Sequence, residues 1–270
     1  MRPPLRERFP APSVMGVVNV TPDSFSDGGV NLRPEDARAT ARRLVAEGAA
    51  IVDVGGESTR PGSEGVTAEE ELRRVEPVLE AVAAELPVSI DTSKAAVARR
   101  ALELGAEMVN DVTALRGDPE MAALCAERGT TVVLMHMRGK PRTMQDDPRY
   151  DDVVAEVKAF LAERLQAAVA AGIAEDDVWL DPGIGFGKTA AHNMELLRRL
   201  GELRDLGRPL VIGTSRKSFI GRVDGSAAGE RLGGTIASSV LAAAEGAELL
   251  RVHDVAEVRQ ALAVATAILG

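Results

Sequence analysis

Eight short apolar runs punctuate the chain, at 14–18, 51–54, 88–90, 108–109, 131–135, 178–180, 210–212 and 249–252, and each breaks off into a polar or glycine-rich cluster. A helix-like segment follows nearly every run, predicted over 34–47, 67–85, 94–104, 119–128, 151–171, 193–206, 229–245 and 254–268. Two of these segments open on a cap residue with glutamate three positions on, Thr67 with Glu70 and Asp254 with Glu257. Strands alternating with helices of this length imply a parallel sheet. Eight such units predict an α/β fold, a (β/α)8 or TIM barrel forming a single domain over 13–270, preceded by an N-terminal extension at 1–12. The C-terminal ends of the strands in such a barrel share one rim, and the residues behind the runs should meet there. Those residues are Asn19, the 55–60 cluster, Asp91, Asn110 with Asp111, His136, Asp181, the 215–217 cluster and His253. Two connections exceed what a barrel needs, 21–33 and 55–66, and both are read as mobile lids over that rim.

Composition narrows the partners. A formal net charge of −9 argues against a polyanion such as nucleic acid, while leaving room for a small anionic substrate where cations gather. No stretch is long and apolar enough to cross a bilayer, and residues 1–12 carry arginines and prolines rather than a signal core, so no membrane partner and a cytoplasmic location are expected. The single cysteine, Cys125, excludes an internal disulfide framework and a Cys-rich zinc site, and its setting among alanines and leucine makes it a packing residue.

Two glycine-rich stretches resemble familiar motifs and fail on inspection. The 183–189 stretch lacks a Walker loop's first glycine, because Pro182 stands there, and Lys188 replaces the last glycine of a dinucleotide fingerprint. The 213–217 stretch begins as a nucleophile elbow but ends on Lys217, so Ser215 is a poor covalent nucleophile. His136, His192 and His253 lie on separate segments and predict no zinc cage.

The cations say more. Arg60, Arg216, Lys217, Arg251 and His253 fall at predicted strand ends of an acidic chain, so the rim should be locally positive. Taken alone, Arg60 is a solvated loop charge and Arg216 with Lys217 a surface pair. Arg251 and His253, two positions apart, point to one side of a strand, where burying them without an anion is costly. Asn19 offers a neutral oxygen suited to Mg2+ otherwise held by phosphates and water. Asp91, Asn110 and Asp181 could each cap a barrel rim, but three acceptors in one cavity suit a flat heterocycle with several N–H donors, and Lys217 could donate to a ring carbonyl. Bonds from charged groups contribute on the order of 1.5 to 3 kcal/mol each, and buried polar groups reject a ligand that leaves them unpaired.

These residues sit in blocks that resemble the dihydropteroate synthase family. The opening block, Met15-Gly-Val-Val-Asn-Val-Thr-Pro-Asp-Ser-Phe-Ser-Asp-Gly-Gly29, and the next, Asp53-Val-Gly-Gly-Glu-Ser-Thr-Arg-Pro-Gly62, are long and specific. Ser89-Ile-Asp-Thr-Ser-Lys94, Val109-Asn-Asp111, Leu134-Met-His136, Asp181-Pro-Gly-Ile-Gly-Phe-Gly-Lys188, Gly213-Thr-Ser-Arg-Lys217 and Arg251-Val-His-Asp254 follow in order, to the last strand. Residues 1–12 precede the resemblance.

The resemblance implies a folate-pathway transferase, with Mg2+ as cofactor, that joins 4-aminobenzoate to 6-hydroxymethyl-7,8-dihydropterin diphosphate by an SN1-like loss of diphosphate, forming 7,8-dihydropteroate. It implies a homodimer and competition by sulfonamides. Carried over residue by residue, Asp91, Asn110, Met135, Asp181, Phe186 and Lys217 hold the pterin, and Asn19, Thr59, Arg251 and His253 meet the diphosphate, Asn19 also meeting the metal. Phe25, Thr59, Arg60, Pro61, Phe186, Ser215 and Lys217 contact the aminobenzoate, whose carboxylate lies near Ser215 and the helix after it. Asp91, Lys217, Arg251 and His253 form the catalytic set, while Asp53 and Glu57 brace the lids. Two rivals share the ring acceptors, a pterin-binding paralogue without turnover and a methyltetrahydrofolate-binding methyltransferase domain. Neither calls for both the lid motifs and the set Asn19, Arg251 and His253.

Overall fold

The computed structural model describes residues 4–21, 34–59, 63 and 65–269. All eight apolar runs become strands: β1 Ser13–Asn19, β2 Ile51–Gly55, β3 Val88–Asp91, β4 Met108–Asp111, β5 Thr131–Met135, β6 Val178–Asp181, β7 Val211–Ile212 and β8 Leu249–Val252. They form one parallel sheet in the order β6-β5-β4-β3-β2-β1-β8-β7, and a bridge between Leu180 and Leu210 joins its two ends into a barrel. The described helices are α1 Leu5–Arg8, α2 Pro34–Ala46, α3 Ala68–Val82, α4 Ala95–Leu104, α5 Met121–Arg128, α6 Val153–Ala170, α7 Ala190–Arg198, α8 Ser218–Asp224, α9 Leu232–Ala244 and α10 Val255–Leu269. None of the helices among the described residues is long and apolar enough to cross a membrane.

Successive side chains of a strand point to opposite faces, and both faces of a parallel barrel are covered, which is why the strands read as unbroken apolar runs. Outward residues such as Val52, Val54, Ile90, Val109, Leu134, Leu180 and Leu250 pack against the helices in one core that includes Leu44, Leu79 and Cys125. Inward residues change character over a single alternation. Ile51 gives way to Asp53, Met108 to Asn110, Trp179 to Asp181 and Leu249 to Arg251, so the interior is apolar near the strand starts and polar near their ends.

The apolar half is closed from below by the chain's own beginning. Leu5, 4% exposed, packs in one cluster with Met15, Ile51, Met108, Val133, Trp179, Val211 and Leu249, and Phe9 lies against it. Ion pairs from Arg6 to Glu248 (3.1 Å) and Arg8 to Glu107 (2.5 Å) tie the segment to the barrel. Residues 5–9 are thus packed into the base of the barrel.

Side-chain caps set the starts of α3, α6 and α7. The Thr67 hydroxyl accepts from the Glu70 amide at 3.3 Å, as its spacing predicts, and Asp152 caps α6 through the Val154 and Ala155 amides. The Asp254 carboxylate is instead engaged by Arg216. The helix predicted over 193–206 divides, because α7 ends at Arg198 and a tighter 3-10 segment spans Leu200–Leu206. Gly201 weakens that stretch as an α-helix. Helices α1 and α8 are additional to the prediction, and α9 begins three residues later than expected.

Candidate active site

The strand ends surround a cavity of about 440 Å³ at the C-terminal rim. Asn19, Thr59, Asp91, Asn110, Met135, Asp181, Phe186, Ser215, Lys217, Arg251 and His253 all line it. Every described residue of the expected set is therefore gathered in one place from the ends of all eight strands and the loops behind them. Phe25, Arg60 and Pro61 lie outside the described residues, as does most of the 21–33 connection.

At the floor, one buried carboxylate organises its neighbours. Asp53 Oδ2 accepts from Arg251 Nε at 2.7 Å and from Asn110 Nδ2 at 3.0 Å, while Arg251 Nη2 donates to Asp91 Oδ2 at 2.9 Å. Burial alone would strip charge from Arg251, but Asp53 and Asp91 more than offset it and hold the guanidinium charged. Asp91 goes the other way. Burial pushes its carboxyl up to about 7, Arg251 pulls it down less strongly, and Asp53, Glu71 and Asp111 add repulsion. Asp181 is raised chiefly by burial, against the pull of Lys217 and the 2.6 Å bond it accepts from the Gly183 amide.

Opposite these acceptors stands Lys217. Its ammonium donates to the Ile184 carbonyl and lies 4.4 Å from the centre of the Phe186 ring, and burial lowers its pKa to about 8 despite Asp181. The chain brings it here through an unusual turn. Arg216 takes φ +56, a left-handed conformation that a residue with a β-carbon seldom adopts, and Ser215 and Lys217 on either side both reach the cavity. The strain is held by three anchors: the Arg216 amide donates to Thr235 Oγ1 at 2.9 Å, its carbonyl accepts from Arg231, and its guanidinium pairs with Asp254. Ser215 Oγ lies 3.0 Å from His253 Nδ1, linking the ends of the β7 and β8 segments.

The rim is less positive than the sequence suggests. Arg216 and Arg251 spend their guanidinium groups on carboxylates, and the cavity sets Asp91 and Asp181, with Asp53 beneath its floor, against Arg251 and Lys217. Buried charges must be paired to be tolerated, so cations found at strand ends arrive with their partners. Glu57, which also lines the cavity, is part of such a pairing: Lys94 Nζ bridges it to the buried Glu71 at 2.5 and 2.6 Å, and the Val66 amide donates to its other oxygen. That is a bracing contact for the second connection. Asp53 braces the floor instead of a lid.

The 183–187 loop owes its glycines to packing. Gly183 has φ +67, and a β-carbon there would stand 1.9 Å from the His136 carbonyl oxygen. The loop wraps a buried amine. Lys188 Nζ meets His136 Nδ1 at 2.8 Å and the Gly183 and Phe186 carbonyls at 3.0 Å each, three acceptors for the three protons of an ammonium, although burial draws its pKa down. Burial, with Lys188 beside it, drops the His136 imidazole to about 2, and the ring serves as a neutral acceptor outside the cavity. Lys188 therefore shapes the loop that presents Phe186. Its place was readable only as the residue that spoiled a dinucleotide motif. Met144, Val112 and Arg231 also line the cavity, and no pattern in the sequence singled them out.

Several donors, several acceptors and two apolar walls can grip a flat, nitrogen-rich ring by its edge, while Asn19 and His253, which line the same cavity, and Arg251 at its floor can meet an anionic substituent. Comparison with known proteins agrees. The model of the pterin binding enzyme family matches residues 15–253. The dihydropteroate synthase of Escherichia coli strain K12 is 49% identical over 261 residues, spanning 96% of this chain and 92% of that protein. The crystal structure of the Yersinia pestis dihydropteroate synthase with a sulfonamide drug complex superimposes with a TM-score of 0.93 at 44% identity, covering 96% of this chain and 94% of that one. The Xanthomonas albilineans enzyme with 4-aminobenzoic acid gives 0.90 at 51% identity, with the same coverage.

Proposed function

The chain belongs to the pterin binding enzyme family, among its dihydropteroate synthases, and on that premise we propose how its residues divide the work of the reaction. The enzyme is a transferase that condenses 6-hydroxymethyl-7,8-dihydropterin diphosphate with 4-aminobenzoate to 7,8-dihydropteroate and diphosphate. The observation that carries the assignment of roles is the convergence of Asp91, Asn110, Asp181, Lys217, Arg251 and His253 on one cavity.

Asp91, Asn110 and Asp181 accept the N–H groups of the pterin, Lys217 donates to its ring carbonyl, and Met135 and Phe186 flank its faces. The bond from the pterin methylene carbon to the diphosphate oxygen breaks with its electron pair on the oxygen. Asp91 stabilises the cation left behind, and Thr59, Arg251 and His253 offset charge on the leaving group. The aminobenzoate nitrogen then attacks the methylene carbon and loses its extra proton. Its ring lies against Phe25, Thr59, Arg60, Pro61, Phe186, Ser215 and Lys217, with its carboxylate near Ser215. Sulfonamides, which imitate that carboxylated amine, compete for the same place.

Among the described residues no cluster of three His, Cys, Asp or Glu side chains could hold a metal, whereas Asn19 offers a lone neutral oxygen at the rim. That donor set fits Mg2+, which takes few protein ligands and keeps water and phosphate oxygens. When bound, the ion would neutralise charge on the diphosphate. A homodimer is supported by exposed apolar side chains on the packed pair α9 and α10, where Leu241 is 63% exposed and Ile268 77%. A cytoplasmic location accords with a lone buried cysteine.

The test is diphosphate release, measured with and without 4-aminobenzoate and Mg2+. Release that is sustained with the amine, is promoted by Mg2+ and falls at least tenfold in Arg251→Ala supports this division of roles. Pterin binding without release would leave only a binding protein.

A further inference from the structure

We propose that Asp53, which does not line the cavity, locks the Asn110 amide with its carbonyl toward the bound ring and so makes the site select a ring edge that offers N–H groups over one that offers oxygen. The inference rests on the pterin reading of the cavity given above.

The two ends of an amide side chain are nearly identical in shape, and its neighbours decide which end faces which way. Asn110 is buried in the floor, and its partner there is fully buried Asp53. Arg251 donates to the same Asp53 oxygen at 2.7 Å, so that oxygen is committed as an acceptor. Turning the Asn110 amide over would set its oxygen against that carboxylate at about the present 3.0 Å contact. The nitrogen therefore faces Asp53 and the oxygen is left for the cavity. Asp91 and Asp181 face the same space as acceptors, so the lock makes the set uniform and leaves the half-buried Lys217 as a donor opposite it. Without the lock, Asn110 could turn to suit a carbonyl, and one third of that acceptor set would lose its meaning. Asp53 acts through Asn110 and is a positioning residue. Its other oxygen, Oδ1, is buried with no partner, so an amide nitrogen placed there by Asp53→Asn would still leave a carbonyl acceptor at Oδ2.

The experiment compares calorimetric binding of a phosphate-free 2-amino-4-oxopteridine with that of its 2,4-dioxo counterpart. The wild type should prefer the amino ring, Asp53→Asn should keep that preference, and Asp53→Ala should narrow it by about tenfold or more, the usual worth of one mispaired buried group. A reciprocal swap guards against a variant that fails to fold. Asn110→Asp places two carboxylates face to face and, at about pH 8.5, should weaken amino-ring binding by about tenfold or more. Adding Asp53→Asn to it removes one of the two facing charges and should recover part of the affinity. A preference that survives Asp53→Ala, or a swap no better than Asn110→Asp alone, overturns the lock. A wild type that binds neither ring instead overturns the pterin reading beneath it.

Discussion

Protonating Asp91 should release the pterin ring. Burial holds this carboxyl at about 7, so near neutral pH roughly half the free protein carries it uncharged and unable to accept ring N–H groups with full strength. Affinity should therefore rise with pH and level off above 7. Below that point each pH unit is worth about 1.4 kcal/mol, a factor of ten, so binding near pH 5 should be about a hundredfold weaker than on the plateau. Stability runs in the opposite direction. The folded pKa lies above the ordinary carboxylate value of 3.8, so the contribution of Asp91 to folding is fully present below 3.8 and is lost as pH rises to about 7. A phosphate-free pteridine should be titrated calorimetrically across this range, because the diphosphate ionises in the same window. Asp91→Asn should flatten the acid limb and lower the plateau. If the limb persists in Asp91→Asn, or if wild-type affinity is level between about pH 5 and 7, burial does not control this group as argued.

Asp181→Ala removes an acceptor that also anchors the Gly183 amide, and calorimetry should find pterin diphosphate bound at least tenfold more weakly; unchanged affinity would refute its role. Leu5→Ala should cost about 2 to 3 kcal/mol, lower the melting temperature by about 5 to 10 °C and redden the emission of Trp179, the chain's single tryptophan, without altering pterin affinity. An unmoved Trp179 spectrum would mean that the segment is undocked in solution. Gly183→Ala should prevent stable folding, because its β-carbon would meet a backbone oxygen at 1.9 Å, while Gly225→Ala, equally left-handed but with nothing within 4 Å, should cost only about 1 kcal/mol. Equal thermal shifts for the two would show that the 183–187 loop yields easily.

The barrel and its rim were legible because they rest on local rules. A strand that must be covered on both faces is apolar throughout, and the polar residue that ends it marks the rim, as Asp181 does after Leu180 and Asn110 after Val109. What escaped depends on partners distant in sequence. Asp53 looks like a lid brace from its place before two glycines, yet its partners Asn110 and Arg251 lie 57 and 198 residues away. It still left a trace, as the lone charge inside the apolar run at 51–54. Lys188 left a poorer one, because nothing in its neighbours foretells His136 behind the adjacent strand. Arg251 was read as a free cation for an anion, since ion pairing is invisible in a single sequence. Helix α8 was hidden by Gly221 within it and Gly225 behind it, and α1 by the prolines before it.

Among the described residues, Leu5 and Phe9 stopper the foot of a barrel whose lower interior is already filled, and the cavity lies at the opposite rim. On the proposed division of the cavity, the ring that settles deepest should arrive first and the finished molecule should withdraw the same way, so the shape of the container would set the order of the queue.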